Sequence, residues 1–138
     1  MSDIHNFFEK CAEFSIGGTP SDIAEFYGKN FVVVGPTESM AFANNDDFLK
    51  WLKSVQDFNN QTGLEKLMVR NVTSTFIGKH AVQATVTWGV MYGKTKDEII
   101  EFDIHYFLEN FTSTMKIILY ISDDDQEQLM RENGLLEY

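Results

Sequence analysis

The chain has 138 residues, of which 43% are hydrophobic and 14% aromatic, and this is enough for one domain with a packed core that needs no disulfide. Eleven Lys and Arg stand against 21 Asp and Glu, so the net charge is −10. Such an excess of negative charge repels nucleic-acid phosphates and anionic lipid surfaces, and it disfavours nucleic-acid and membrane partners.

The first half of the chain predicts helices and two short strands. Apolar residues spaced by three and four, from Ile4 to Phe14, are typical of an amphipathic helix. Thr19 followed by Pro20 is typical of a helix start, and Gly63 of a helix end. The predicted elements are helices over 4–14, from Thr19 to about Tyr27 and from Asn44 or Asn45 to Gly63, and strands over 31–34 and 40–43.

The second half of the chain changes to a period of two, which predicts β-strands. The predicted strands cover about 65–76, 80–92, 98–110 and 114–122. Short links between them favour an antiparallel meander. Three consecutive aspartates from Asp123 favour a short terminal helix over 124–133. We see no repeat and no linker, so residues 1–138 are expected to form a single domain.

The order of these elements resembles the NTF2-like superfamily, which includes nuclear transport factor 2, ketosteroid isomerases and SnoaL-type polyketide cyclases. The resemblance covers nearly the whole chain and is strongest in GTPSDIAEFYGKNFVVVGP (18–36) and in HYFLEN (105–110) with MKIILYISDDD (115–125). It implies an α+β fold in which a strongly curved antiparallel sheet wraps around N-terminal helices, the cystatin-like cone. It also implies a pocket open at one end and a homodimer formed through the sheet.

Large aromatic residues are the candidates for the wall of that pocket. Trp and Tyr combine an apolar body with one polar tip, which can orient a small-molecule ligand. The alternative is that each is an ordinary large core residue. The predicted pocket residues are Trp51, Trp88, Tyr92, Phe102, Tyr106 and Tyr120.

Asp103 and His105 form the candidate catalytic pair. Alternation in IEFDIHYFLEN (100–110) places them on one face of a strand, and resemblance to SnoaL-type cyclases implies an isomerase, cyclase or hydrolase that uses Asp103 as base and His105 as its partner. The alternatives are a half-exposed outer face, which we favour, or polar contacts across a dimer interface. Ketosteroid isomerases have a Tyr and an Asp where this chain has Cys11 and Gly35, so we do not expect that activity.

The cysteine, the histidines and the first residues of the chain give expectations about metals, cofactors and cellular compartment. Cys11 is the one cysteine and the three histidines are scattered, so neither a disulfide nor a zinc site is predicted, and no cofactor is expected. Cys11 itself is expected to be an inert core residue. The opening MSDIHNFFEK lacks the pattern of a secretory signal, and we therefore expect a cytoplasmic protein.

The leading hypothesis is a domain that binds a small apolar or aromatic molecule in the cone. Dimerisation through the sheet is supported, beyond the resemblance, by apolar residues such as Phe76 that are expected on its outer face. The enzyme that uses Asp103 and His105 is the alternative. A protein-interaction module, which rests on the acidic surface alone, is a third hypothesis.

Overall fold

The computed structural model of the chain describes residues 2–93, 99–111 and 114–122. The predicted terminal helix over 124–133 and most of the predicted links that follow the strands at 80–92 and 98–110 lie outside this part. In chain order the elements are α1 (Ser2–Gly17), α2 (Pro20–Ala24), β1 (Tyr27–Val34), β2 (Ser39–Ala43), α3 (Asp46–Thr62), β3 (Leu64–Ile77), β4 (Ala81–Tyr92), β5 (Ile100–Glu109) and β6 (Lys116–Ser122).

The six strands form one curved open sheet in the order β2-β1-β6-β5-β4-β3. The predicted meander is confirmed, because β3, β4, β5 and β6 pair antiparallel in succession. A pairing that the sequence analysis did not predict joins the two halves of the chain: β1 runs parallel to β6, with Val33 opposite Tyr120. The fold class, an α+β fold with a curved sheet around N-terminal helices, is confirmed.

Local hydrogen bonds explain where the helices begin and end. The Thr19 hydroxyl accepts from the backbone N–H of Asp22, and the Asp22 carboxylate accepts from the N–H of Thr19, which is a capping box with Pro20 at the first helical position. Asn45 caps α3 and Gly63 ends it with a φ of 79°. The prediction that α2 runs to about Tyr27 is wrong, since α2 ends at Ala24 and Tyr27 begins β1.

The core lies between α1 and the concave face of the sheet. Alternate residues of β4 and β5 point toward the helices and are buried, as a period of two requires. The apolar stripe of α1 packs onto them. This cluster contains Ile4, Phe7, Phe8, Ala12, Val82, Ala84, Val86, Trp88, Ile104, Tyr106, Leu108 and Ile117. Among the described residues, no helix combines the length and apolarity that crossing a membrane requires.

The outer face of the sheet differs from the prediction at Phe76. Phe76 pairs with Val82, whose side chain is 1% exposed in the core, so Phe76 is on the concave side, where it is 65% exposed beyond the packed helices. The prediction that Phe76 lies on the outer face of the sheet is therefore wrong. The half-buried apolar residues that do lie on the outer face include Phe107, Leu119 and Ile121.

Two adjacent glycines, Gly17 at the end of α1 and Gly18 just after it, allow a matched test of local packing. A Cβ atom at Gly18 would lie 2.6 Å from the backbone oxygen of Phe14, whereas at Gly17 nothing lies within 4 Å. We expect Gly18→Ala to lower the free energy of unfolding by about 1–3 kcal/mol. Gly17→Ala should be neutral or stabilise by up to about 1 kcal/mol, because alanine favours the helix. Urea unfolding of both variants measures the difference, and equal effects would contradict the packing at Gly18.

Candidate functional site

A cavity of about 190 Å³ lies between the concave face of the sheet and the three helices. It reaches the surface beside Trp51, which is 42% exposed. An apolar cavity of about 150 Å³ holds a benzene molecule in a well-studied engineered protein. The cavity therefore has room for about one ring with a small substituent.

All six predicted pocket residues line this cavity. Trp88, Tyr92 and Tyr106 are buried in its wall, Phe102 and Tyr120 are half-buried, and Trp51 stands at the mouth. They come from α3, β4, β5 and β6, so the curvature of the sheet brings together residues far apart in sequence. Whether they bind a ligand remains a prediction.

The deep end of the cavity carries a group of polar tips. Trp88 Nε1 donates a hydrogen bond of 3.1 Å to the Tyr106 hydroxyl. The ring of Tyr120, the residue opposite Tyr106 on β6, meets the Tyr106 ring edge-on at 5.5 Å between centroids. Cys11 and Tyr27 line the same space.

Burial keeps these groups neutral. Desolvation raises the pKa of Tyr106 well above 10.0, the proximity of Tyr120, Tyr27 and Cys11 raises it further, and the Trp88 hydrogen bond opposes the shift. Desolvation likewise raises the pKa of Tyr27 and of the Cys11 thiol, and it raises the pKa of Tyr92 to about 12. All four are protonated at physiological pH, and the Cys11 thiol is not an activated nucleophile.

Tyr27 is the main residue that the sequence analysis missed. It lies deep in the protein, yet its side chain is only half-buried because part of it faces the cavity. Asn44 holds this region: its Nδ2 donates to the backbone oxygens of Ala24 at 2.8 Å and of Tyr27 at 3.2 Å. The predicted helix up to about Tyr27 concealed this residue, because Tyr27 and the following Gly28 belong to β1, where a Cβ atom at Gly28 would lie 3.2 Å from Ile118.

The cavity wall contains further residues that were not predicted as pocket residues. Cys11 packs against the core, as expected, and also lines the cavity. The other members of this group come from the three helices, from Phe26 just before β1, and from strands β1, β3, β4, β5 and β6. Among them are Ser15, Ile23, Phe26, Phe31, Val33, Leu52, Val55, Gln56 and Asn59. At the mouth, Gln56 Nε2 donates to the backbone oxygen of Gly18 at 2.9 Å, which ties α3 to the link between α1 and α2.

Asp103 and His105 lie on the outer face of the sheet and do not line the cavity. Asp103 is exposed, and its Oδ1 accepts a 2.6 Å hydrogen bond from the Thr87 hydroxyl. His105 Nδ1 and the Thr85 hydroxyl are hydrogen-bonded at 2.9 Å. The inward-facing neighbours in β5, Ile104 among them, occupy the cavity wall. The sheet thus separates the pair from any molecule in the cavity.

The residues that the structure describes contain no candidate metal site. Over 2–93, 99–111 and 114–122, no group of three or more His, Cys, Asp or Glu side chains is close enough to hold a metal ion. The uncharged residues that line the cavity are, with few exceptions, poor metal ligands.

Several solved structures share this fold at low sequence identity. An NTF-2 like protein of unknown function from Shewanella oneidensis MR-1 is 12% identical, with a TM-score of 0.66 over 89% of this chain and 98% of its own. An NTF2-like protein with a cystatin-like fold from Novosphingobium aromaticivorans is 8% identical, with a TM-score of 0.69 over 99% and 88%. The beta subunit of the benzoate 1,2-dioxygenase from Burkholderia mallei is 11% identical, with a TM-score of 0.65 over 94% and 93%.

These structural likenesses confirm the cystatin-like, NTF2-like fold. A comparison with curated proteins found none whose sequence matches. Residues 2–125 match the family described as "NTF2-like protein (DUF6841)". This match spans most of the chain, and it agrees with the curved sheet and with the fold of the similar solved structures. The protein therefore belongs to the NTF2-like DUF6841 family.

Proposed function

We propose that this protein binds a small apolar or aromatic molecule, about one ring in size, inside the cavity. The observation that carries the proposal is the cavity of about 190 Å³ itself, whose wall is dominated by aromatic and aliphatic side chains. Binding pockets are commonly concave, mostly apolar and equipped with a few convergent polar groups. The hydrogen-bonded pair of Trp88 and Tyr106 supplies such groups.

The expected affinity follows from the size of the ligand. A one-ring molecule that buries roughly 250 Å² of apolar surface gains about 6 kcal/mol from the hydrophobic effect. This corresponds to a Kd on the order of tens of micromolar, and the ordering of the ligand weakens it further. Binding should therefore be measured at ligand concentrations up to the millimolar range.

Filling the cavity provides the test. Val33 of β1 lines it, while the adjacent Val32 is on the opposite face of the strand and is 37% exposed. We expect Val33→Phe to occupy the space and to weaken the binding of ethylbenzene, followed by NMR titration of the backbone amides, by at least about tenfold. Val32→Phe adds the same ring outside the cavity and should leave binding unchanged.

Two results would speak against the proposal. The first is an ethylbenzene titration of the unmodified protein with no saturable shift of signals from the cavity wall. The second is equal binding by the Val33→Phe and Val32→Phe variants, which would place the ligand elsewhere. Native mass spectrometry of the purified protein adds an independent measurement, because a carried-over ligand appears as extra mass.

The proposal includes a homodimer formed through the outer face of the sheet. Phe107 of β5 pairs with Leu119 of β6, Val32 of β1 also lies opposite Leu119, and Ile121 extends the same strip. Burial of such a strip against a second copy would remove apolar surface from water. Sedimentation velocity distinguishes the dimer from a monomer of 15.9 kDa.

The exposed position of Asp103 on the outer face gives no support to an enzyme that acts in the cavity. A base must lie within hydrogen-bond reach of the proton that it removes. Binding without chemistry is therefore the function that the geometry favours.

A further inference from the structure

The cavity wall is uncharged throughout the part of the chain that the structure describes. None of its residues is Asp, Glu, Lys, Arg or His. Lys53 lies in a second depression that shares Ser15, Gln56 and Asn59 with the mouth, and its Nζ lies 2.6 Å from Asp57 Oδ1. An anionic ligand in the cavity would thus lose its hydration without gaining a cationic partner, which is strongly unfavourable.

The hydrogen bond between Trp88 and Tyr106 determines which group at the deep end of the cavity can donate to a ligand. An indole N–H is a donor only, so the Tyr106 oxygen is the acceptor in this bond. The proton of the Tyr106 hydroxyl is then left for another acceptor. Because each bond in a chain of hydrogen bonds polarises the next, Trp88 makes Tyr106 a better donor.

The surroundings of Tyr106 favour an acceptor that carries no proton of its own. Tyr106 is 5% exposed and lines the cavity, so its hydroxyl lies where a molecule in the cavity can reach it. The neighbouring polar tips include the hydroxyl of Tyr27 and the thiol of Cys11, which can accept a hydrogen bond but each bring a proton that needs an acceptor of its own. A ligand carbonyl, which accepts and does not donate, satisfies this group best.

On the basis of the proposed function, we infer that the ligand is a neutral carbonyl compound of about one ring, whose oxygen accepts the proton of the Tyr106 hydroxyl. The aromatic wall holds the ring, and the Trp88 N–H orients and strengthens the donor. Carboxylates of the same size are rejected. Burial supports this assignment, because it raises the pKa of Tyr106 and keeps the donor protonated across the physiological range.

Three probes of similar size test separately the carbonyl hydrogen bond, the effect of a negative charge and the apolar contact. Acetophenone carries the carbonyl, benzoate replaces it with a negative charge, and ethylbenzene has no oxygen. NMR titration of the whole protein at pH 7 should show acetophenone binding at least about 100-fold more tightly than benzoate. Relative to its effect on ethylbenzene, which makes no hydrogen bond, Tyr106→Phe should weaken acetophenone binding roughly 3- to 10-fold, as expected for one lost hydrogen bond.

The outcomes distinguish the inference from the proposed function. Comparable affinities for acetophenone and benzoate, or an equal effect of Tyr106→Phe on acetophenone and ethylbenzene, would overturn the inference and leave apolar binding in place. The absence of binding by both neutral probes would overturn the proposed function itself. The comparison of probes with the unmodified protein does not depend on whether the Tyr106→Phe variant folds. Trp88→Phe keeps the Tyr106 hydroxyl but removes the indole N–H that donates to it. This variant should weaken acetophenone binding by a smaller factor than Tyr106→Phe does.

Discussion

Replacement of Phe8 by alanine is expected to lower the free energy of unfolding by about 3–5 kcal/mol, as for other fully buried phenylalanines. Phe8 is 0% exposed, and its ring lies 4.7 Å from the ring of Tyr106 and 6.2 Å from that of Trp88, measured between centroids. The variant loses the burial of the ring and leaves a void that the sheet cannot collapse to fill. Urea unfolding followed by circular dichroism measures this loss.

Phe76→Ala is the matched control, because this phenylalanine is 65% exposed. We expect its effect to stay below about 1 kcal/mol. The Phe8→Ala variant should also bind a one-ring ligand more weakly under conditions where it is folded, because Phe8 supports the Trp88–Tyr106 pair from behind. A Phe8→Ala variant as stable as Phe76→Ala would show that α1 does not pack on the sheet as described.

The inward face of the long strands could be predicted from the sequence. Side chains alternate strictly across a strand, so the parity of apolar residues identifies the face that packs. Trp88, Tyr92, Phe102 and Tyr106 all have the parity of the buried core residues and all line the cavity. The same parity places Asp103 on the outer face, which was the interpretation favoured for it.

Phe76 shows where parity fails. In the middle of β3 the inward residues are odd-numbered, with Val69 opposite Trp88, and beyond it they are even-numbered, with Val72 opposite Val86. The register shifts between Val69 and Asn71, and one extra residue turns the rest of the strand over. No residue type marks such a bulge reliably, so the face of Phe76 could not be read from its position alone.

The contribution of β1 to the site depended on a long-range pairing. Tyr27 and Val33 reach the cavity because β1 lies parallel to β6, some 85 to 90 residues later in the chain. The local pattern of β1 favours a strand but does not select its neighbour. The sequence therefore predicted most of the large wall residues that come from the meander. It predicted few of those that come from β1 and the helices.

The second large effect is expected at alkaline pH, where the protein should lose about 6 kcal/mol of stability between pH 9 and pH 11. Burial raises the pKa of Cys11 above its ordinary 9.0, and the pKa values of Tyr27 and Tyr106 above their ordinary 10.0. In the unfolded chain these groups ionise near their ordinary values. Above those values the folded state holds more protons than the unfolded state, so stability falls as pH rises.

The size of this loss follows from proton linkage. Each group whose folded pKa is raised costs about 1.4 kcal/mol per pH unit above its unfolded pKa. The loss from Cys11 begins near pH 9 and that from Tyr27 and Tyr106 near pH 10, and Tyr92, whose pKa burial raises to about 12, adds about 1 kcal/mol to it at pH 11. The total at pH 11 is a large part of a typical domain's stability of about 5–15 kcal/mol. Urea unfolding at intervals from pH 7 to pH 11 measures the curve.

A Cys11→Ala variant separates linkage from general repulsion at high pH. The chain already carries a net charge of −10, and the deprotonation of lysines makes it more negative in both proteins alike. Relative to its own stability at pH 7, the variant should begin to weaken near pH 10 instead of pH 9, and at pH 11 it should have lost about 3 kcal/mol less. Parallel curves for the two proteins would mean that the thiol ionises as readily in the cavity as in water. The cavity would then be hydrated, and an uncharged site selective for neutral ligands could not be maintained.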